Sequence, residues 1–180
     1  MIGRWFYPAP PRVSEAERED FPIMAELHEL SFVRDWSEEE IASLMAGDGV
    51  FALVTRRAAP TASRRPIGFV MVRAVADEAE ILTIAVHPRW RGRGHGKLLM
   101  EAAMRRLYAD RVLNIFLEVD AENGSACALY ERLGFKVVGE RKGYYAATGK
   151  DGEASTALVM RREMTPPQRP LKGGLGAGKT

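Results

Sequence analysis

Residues Arg91 to Gly96 read RGRGHG, with three glycines at alternate positions among cations, directly before an apolar helical pattern. Each extra glycine in a first helical turn costs up to ~1 kcal/mol against alanine, so three of them need a reason. Removing Cβ atoms lets backbone N–H groups approach a ligand, and a helix start supplies free donors and partial positive charge. Arg89, Arg91, Arg93 and Lys97 stand there with no acid among them. The ligand class is an anion such as phosphate or pyrophosphate, and a solvated basic loop is the rival reading. Two further side chains have proton chemistry within reach. In NIFLEVD, strand alternation places Ile115, Leu117 and Val119 on one face and Phe116, Glu118 and Asp120 on the other. Glu118 is then either a proton acceptor beside the turn or a carboxylate on an exposed sheet face. Tyr130 follows Asn123 by two helical turns on the same helix side, as a proton donor or as a packed core tyrosine.

Other motifs fit less well. A G-x-G-x-x-G dinucleotide fingerprint needs glycine where Lys97 stands, and it should follow its strand directly, whereas five residues separate Val86 from Gly92. Gly173 to Thr180 match G-x-x-x-x-G-K-[ST] but lie in a glycine-rich tail with no helix after them to bind phosphate. Cys127 has no paired base and reads as a small packing residue rather than a nucleophile. With one cysteine and His28, His87 and His95 scattered, no spacing suggests a disulfide or a metal site.

The elements that must position these groups follow from periodicity. SEAEREDFPIMAELHELSF predicts a helix with Ile23, Leu27 and Leu30 on one stripe, and DWSEEEIASLMAGDG a second helix, Ser37 capping it and Glu40 three residues on. GVFALVT and IGFVMVRAV flank the loop RRAAPTASRRP as a hairpin, and AEILTIAV is a third strand leading into the glycine turn. A helix follows from Gly96 to about Asp110 with Leu99, Ala103 and Leu107 inward, then strand LNIFLEV, helix NGSACALYERLG, and strands FKVVGE and STALVMRRE. The strand, helix, strand unit over 80–119 predicts a parallel pair inside an otherwise antiparallel sheet, a mixed α/β layer fold. Residues 1–14 show no clear periodicity and leave room for one edge strand.

The chain has 180 residues, 46% of them apolar, which suits a single domain over 1–164. A Gly/Pro-rich basic tail at 165–180 buries nothing and is expected to be disordered. Net charge is +2, but residues 161–180 contribute +4, leaving the body at −2, so bulk charge does not suggest a nucleic-acid-binding surface. Runs such as ILTIAV fall short of the ~20 apolar residues a membrane span needs, and the opening residues lack a signal-peptide pattern. The expectation is a cytoplasmic monomer that engages neither membrane nor specific nucleic acid.

RGRGHG also matches the [QR]-x-x-G-x-[GA] signature of the GNAT superfamily of acyl-CoA-dependent N-acyltransferases, in that family's strand, basic turn, helix setting. TIAVHPRWRGRGHGKLLMEAAM, LEVDAENGSACALYERLGFKVVGERKGYY and, more weakly, SFVRDWSEEEI resemble the bacterial ribosomal-protein-alanine N-acetyltransferases over residues 20–163. The resemblance implies an α/β GNAT fold, a mixed, mostly antiparallel central sheet with helices on both faces. It implies acetyl-CoA as co-substrate, without a metal. Ile84, Ala85 and Val86 would run along the pantetheine arm, Arg91, Gly92, Arg93, Gly94, His95, Gly96 and Lys97 around the pyrophosphate, and Asn123 near the pantetheine end. Glu118 aligns with the family's proton acceptor and Tyr130 with its proton donor, a phenol of pKa ~10 able to protonate a thiolate of ~8.5. Tyr144 and Tyr145 match a double tyrosine that shapes the acceptor site. The implied reaction is acetyl transfer to a protein N-terminus, that of a small-subunit ribosomal protein, by direct attack in a ternary complex. A GNAT enzyme for lysine or small amines, and a non-catalytic module gripping RNA or a ribosome, are the alternatives.

Overall fold

The computed structural model describes residues 11–57, 65–145 and 155–165, except for the side chains of 143–145 and 155. Within them seven strands form one sheet: β1 (Arg12–Glu15), β2 (Val50–Arg56), β3 (Pro66–Val75), β4 (Glu78–Val86), β5 (Asn114–Asp120), β6 (Lys136–Tyr145) and β7 (Ser155–Glu163). Their spatial order is β1-β2-β3-β4-β5-β7-β6. β4 and β5 run parallel, and the other neighbouring pairs are antiparallel, as the strand, helix, strand pattern predicts. Helices α1 (Phe21–Glu29) and α2 (Glu38–Met45) cover one face, with Met24, Leu27 and Ile41 packed on Val54, Phe69 and Met71. Helices α3 (His95–Ala109) and α4 (Gly124–Arg132) cover the other, where Leu99, Ala103 and Leu107 meet Val70, Val72 and Ile115.

Two boundaries differ from the sequence reading. The first helix begins at Phe21, not at Ser14, because residues 12–16 pair instead with β2, and Ala16 donates its N–H to Ala52 at 2.9 Å. Asp20 marks the switch: its carboxylate accepts from the Glu17 N–H at 3.0 Å and takes both Arg56 contacts, at 2.6 and 2.7 Å, with Pro22 opening the helix behind it. An available sheet edge outweighs local helix propensity here. The last hairpin strand, β6, runs on to Tyr145, well beyond FKVVGE. The Ser37 cap stands as expected, with Ser37 Oγ accepting from Glu40 N at 3.2 Å and Glu40 Oε2 accepting from Ser37 N at 2.8 Å. Residues 1–10, most of the loop RRAAPTASRRP and the tail from 166 onward lie outside the described residues.

The sheet is interrupted where β4 leaves β5. Their pairing ends at Ile81 and Leu117, yet β4 continues to Val86 and β5 to Asp120. A bulge on β4 accompanies the parting: Val72 pairs with Ile81 but Met71 with Thr83, so Leu82 is the extra residue. One inserted residue flips which side chains face which layer. Before the bulge Ala79 and Ile81 pack toward α3 and α4; after it Ile84 and Val86 do, while Ala85 joins the α1 side.

Candidate active site

A cleft of about 560 Å³ opens at this parting, between the end of β4, the start of α3 and one side of α4. The turn that precedes α3 is built for a close approach. After a short 3-10 turn at Pro88–Trp90, Gly92 and Gly94 adopt φ values of +70° and +83°, which side chains rarely tolerate. A Cβ built on either would meet nothing within 4 Å, so the protein itself leaves the space beside them open. Gly96 serves a different purpose, since a Cβ there would lie 3.4 Å from Leu129 Cδ2, at the contact between α3 and α4.

The first helical bond of α3 runs from Leu98 N to Gly94 O at 3.0 Å. The N–H groups of His95, Gly96 and Lys97 therefore have no intrahelical acceptor and sit at the positive end of a 15-residue helix. His95 is buried, its ring edge-on to Trp90 at 6.1 Å, and its Nδ1 finds no hydrogen-bond partner among the described residues. Burial first, and the nearby Arg93 second, lower its pKa below the usual histidine value. Free donors and an open, Cβ-free wall fit an anionic ligand laid across the turn.

The arginines divide their work. Arg91 Nε donates to Val86 O at 2.9 Å and its Nη2 to Ser31 Oγ at 2.9 Å, so this side chain braces the turn against the end of α1. Arg93 lies over the Trp90 ring at 4.8 Å, with Arg57 over the same ring at 4.7 Å, and Arg93 is not among the residues on the cleft wall. The wall does carry Ile84, Ala85, Val86, Arg91, Gly92, Gly94, His95, Gly96, Lys97, Asn123 and Tyr130. Asn123 Oδ1 caps α4 by accepting from Ala126 N at 3.2 Å. Tyr130 is 5% exposed and edge-on to Phe135 at 5.9 Å.

Glu118 is not on the wall; it is the first residue of β5 past the last β4 pair. Because Ile115, Leu117 and Val119 pack toward α3 and α4, Glu118 faces the opposite layer, as alternation predicts. Its Oε1 lies 3.1 Å from Arg141 Nη1 in an ion pair. Tyr130 thus comes to the parting from the α4 side and Glu118 from the other. Cys127 directs its Sγ toward Asp120 O at 3.7 Å, and burial pushes its thiol pKa up, in keeping with a packing role. The backbones of Tyr144 and Tyr145 end β6, and their side chains lie outside the described residues. Among the described residues no three His, Cys, Asp or Glu side chains gather to hold a metal, and no helix is long and apolar enough to cross a membrane.

Residues 11–135 match the acetyltransferase (GNAT) family. The chain belongs to that family. This acetyltransferase is 32% identical over 148 residues to the [ribosomal protein bS18]-alanine N-acetyltransferase of Escherichia coli K12, covering 82% of this chain and 94% of the relative. The crystal structure of the Escherichia coli ribosomal-protein-S18-alanine N-acetyltransferase superposes with a TM-score of 0.77 at 29% identity, over 90% of this chain and 99% of that one. Arabidopsis thaliana NAA60 in complex with acetyl-CoA shares the fold, with a TM-score of 0.73 at 19% identity over 86% and 99% of the two chains. Acetyltransferases of this family use acetyl-CoA, and the open turn suits its phosphates.

Several wall residues of the acetyltransferase escape sequence reasoning. Trp90 sits inside the basic turn, where its flanking arginines were the available signal. Ala126 and Leu129 repeat the helical spacing of Asn123 and Tyr130. Ser31 and Phe32 arrive from the end of α1 by tertiary packing alone, which no local pattern announces.

Proposed function

We propose that this acetyltransferase moves the acetyl group of acetyl-CoA to the N-terminal α-amine of a protein, a small-subunit ribosomal protein, inside the cytoplasm. The observation that carries the acceptor is the likeness to alanine N-acetyltransferases of a ribosomal protein along 94% of their length. Acetyl-CoA supplies an activated thioester; the remaining work falls to side chains and backbone. The N–H groups of His95, Gly96 and Lys97, beside Gly92 and Gly94, hold the pyrophosphate, while Ile84 to Val86 and Asn123 line the pantetheine arm.

Acetyl transfer needs a neutral amine. An α-amine at pKa ~7.7–8.0 gives up its proton far more readily than a lysine at ~10.4, a difference of about 3 kcal/mol. Glu118, directly or through one water, is sufficient as the acceptor of that proton. Tyr130 donates a proton to the departing thiolate. The two side chains meet the gap between β4 and β5 from opposite faces, which suits an amine entering on one side and a thiol leaving on the other. Tyr144 and Tyr145, at the end of β6, shape the acceptor entrance.

The test is acetylation of matched peptides with free and blocked N-termini from labelled acetyl-CoA, mass spectrometry locating the modified amine. Label on the α-amine alone supports the proposal. Label that survives the block, on lysine, contradicts it.

A further inference from the structure

Arg141 lies two strands away from Glu118, with β7 between them, yet the two side chains meet at 3.1 Å. The register of β6 explains how. Val137 pairs with Met160, but Gly139 pairs with Val159 and Arg141 with Ala157, so Val138 is an extra, bulged residue. Without that bulge the register would set Arg141 opposite Thr156, on the face that Leu158 and Met160 turn toward α3 and α4. The inserted residue turns Arg141 onto the face of Glu118 instead, and bulges commonly re-aim a side chain in this way. Glu118 pairs with Val159, and Asp120 with the same Ala157 that faces Arg141. Gly139 and Ala157 leave the surface under the crossing guanidinium low, with only Val159 standing between.

An ion pair this open, with Arg141 57% and Glu118 24% exposed, contributes little to stability. We infer that Arg141 is a positioning residue, its guanidinium reaching across β7 to hold the Glu118 carboxylate at the mouth of the gap between β4 and β5. The inference rests on the proposed role of Glu118 as proton acceptor. A carboxylate left to rotate away from the reacting amine loses rate, because small misplacements are costly to proton transfer.

The experiment compares Arg141→Ala, Arg141→Lys, Glu118→Gln and the Glu118→Gln/Arg141→Ala double variant for kcat, for KM of acetyl-CoA and for thermal midpoint. Arg141→Ala should lower kcat about tenfold with unchanged acetyl-CoA KM and an unchanged midpoint, and Arg141→Lys should recover most of the loss. In the Glu118→Gln background, removing Arg141 should cost nothing further, because both act through one carboxylate. Wild-type kcat in Arg141→Ala, or a full additional loss in the double variant, overturns the inference. If Glu118→Gln itself turns over normally, the proton-acceptor reading falls with it; if only Arg141→Ala is silent, this inference alone falls.

Discussion

Replacing Gly94 by alanine separates what the glycine turn does for the fold from what it does for the cofactor. Its φ of +83° places an L side chain in the left-handed region, at a cost of ~1–2 kcal/mol. No atom lies within 4 Å of the added Cβ, so no clash adds to that cost. For a chain of this size the thermal midpoint should fall by roughly 2–8 °C. With the proposed pyrophosphate site at this turn, the larger consequence is for acetyl-CoA, because the methyl would occupy the open side facing the phosphates. Losing one hydrogen bond to a charged group, ~1.5–3 kcal/mol, weakens binding roughly 10- to 100-fold. Gly96→Ala is the control: its Cβ would touch only the flexible end of Leu129 at 3.4 Å, and alanine is the better helix former. Isothermal titration with acetyl-CoA, alongside thermal melts, should show weakened binding for Gly94→Ala and near-normal binding for Gly96→Ala. Unchanged affinity in Gly94→Ala with a lowered midpoint would refute the assignment of this turn to the pyrophosphate.

Acid should loosen the packing beneath the end of α1. His28 is 3% exposed, stacks against Phe32 and Trp36, and accepts the Trp36 N–H at 3.0 Å, and burial lowers its pKa to about 4 against the pull of Asp35 and Glu40. The unfolded chain takes that proton near pH 6.5 while the folded one refuses it until about 4, so stability present above pH 6.5 is lost as pH falls through this window. Urea unfolding at pH 7.5 and 4.5 should show His28→Gln losing ~3 kcal/mol less than wild type between the two, and equal losses would remove His28 from the account. Tyr130→Phe should keep acetyl-CoA affinity and lose at least about tenfold in turnover if its hydroxyl protonates the thiolate. Normal turnover by this variant leaves Tyr130 as core packing against Phe135.

What was legible in the sequence is what local pattern encodes. The alternation of NIFLEVD assigns Glu118 to the face opposite the α3 and α4 core, and the stripe Leu99, Ala103, Leu107 is the buried side of α3. Glycine spacing marked the turn, and the structure divides its three glycines between conformation at 92 and 94 and helix packing at 96. Three features could not be read this way. The start of α1 depends on Ala16 finding Ala52 and on Asp20 finding Arg56, partners far along the chain. The bulges at Leu82 and Val138 are single inserted residues visible only against a partner strand, yet they aim the cleft wall and Arg141. Arg91 lies on the cleft wall, but that its guanidinium also reaches Val86 and Ser31 could not be read, because the end of α1 lies beside the turn only in the folded chain.

The central claim is that Glu118 takes the proton from an N-terminal amine presented to bound acetyl-CoA. Its most direct test is the turnover of Glu118→Gln on a peptide with a free N-terminus, at saturating acetyl-CoA, with cofactor affinity measured on the same preparation. Removal of a general base should cut kcat by about 100-fold or more while leaving acetyl-CoA binding at the wild-type value. Wild-type kcat in Glu118→Gln would contradict the account.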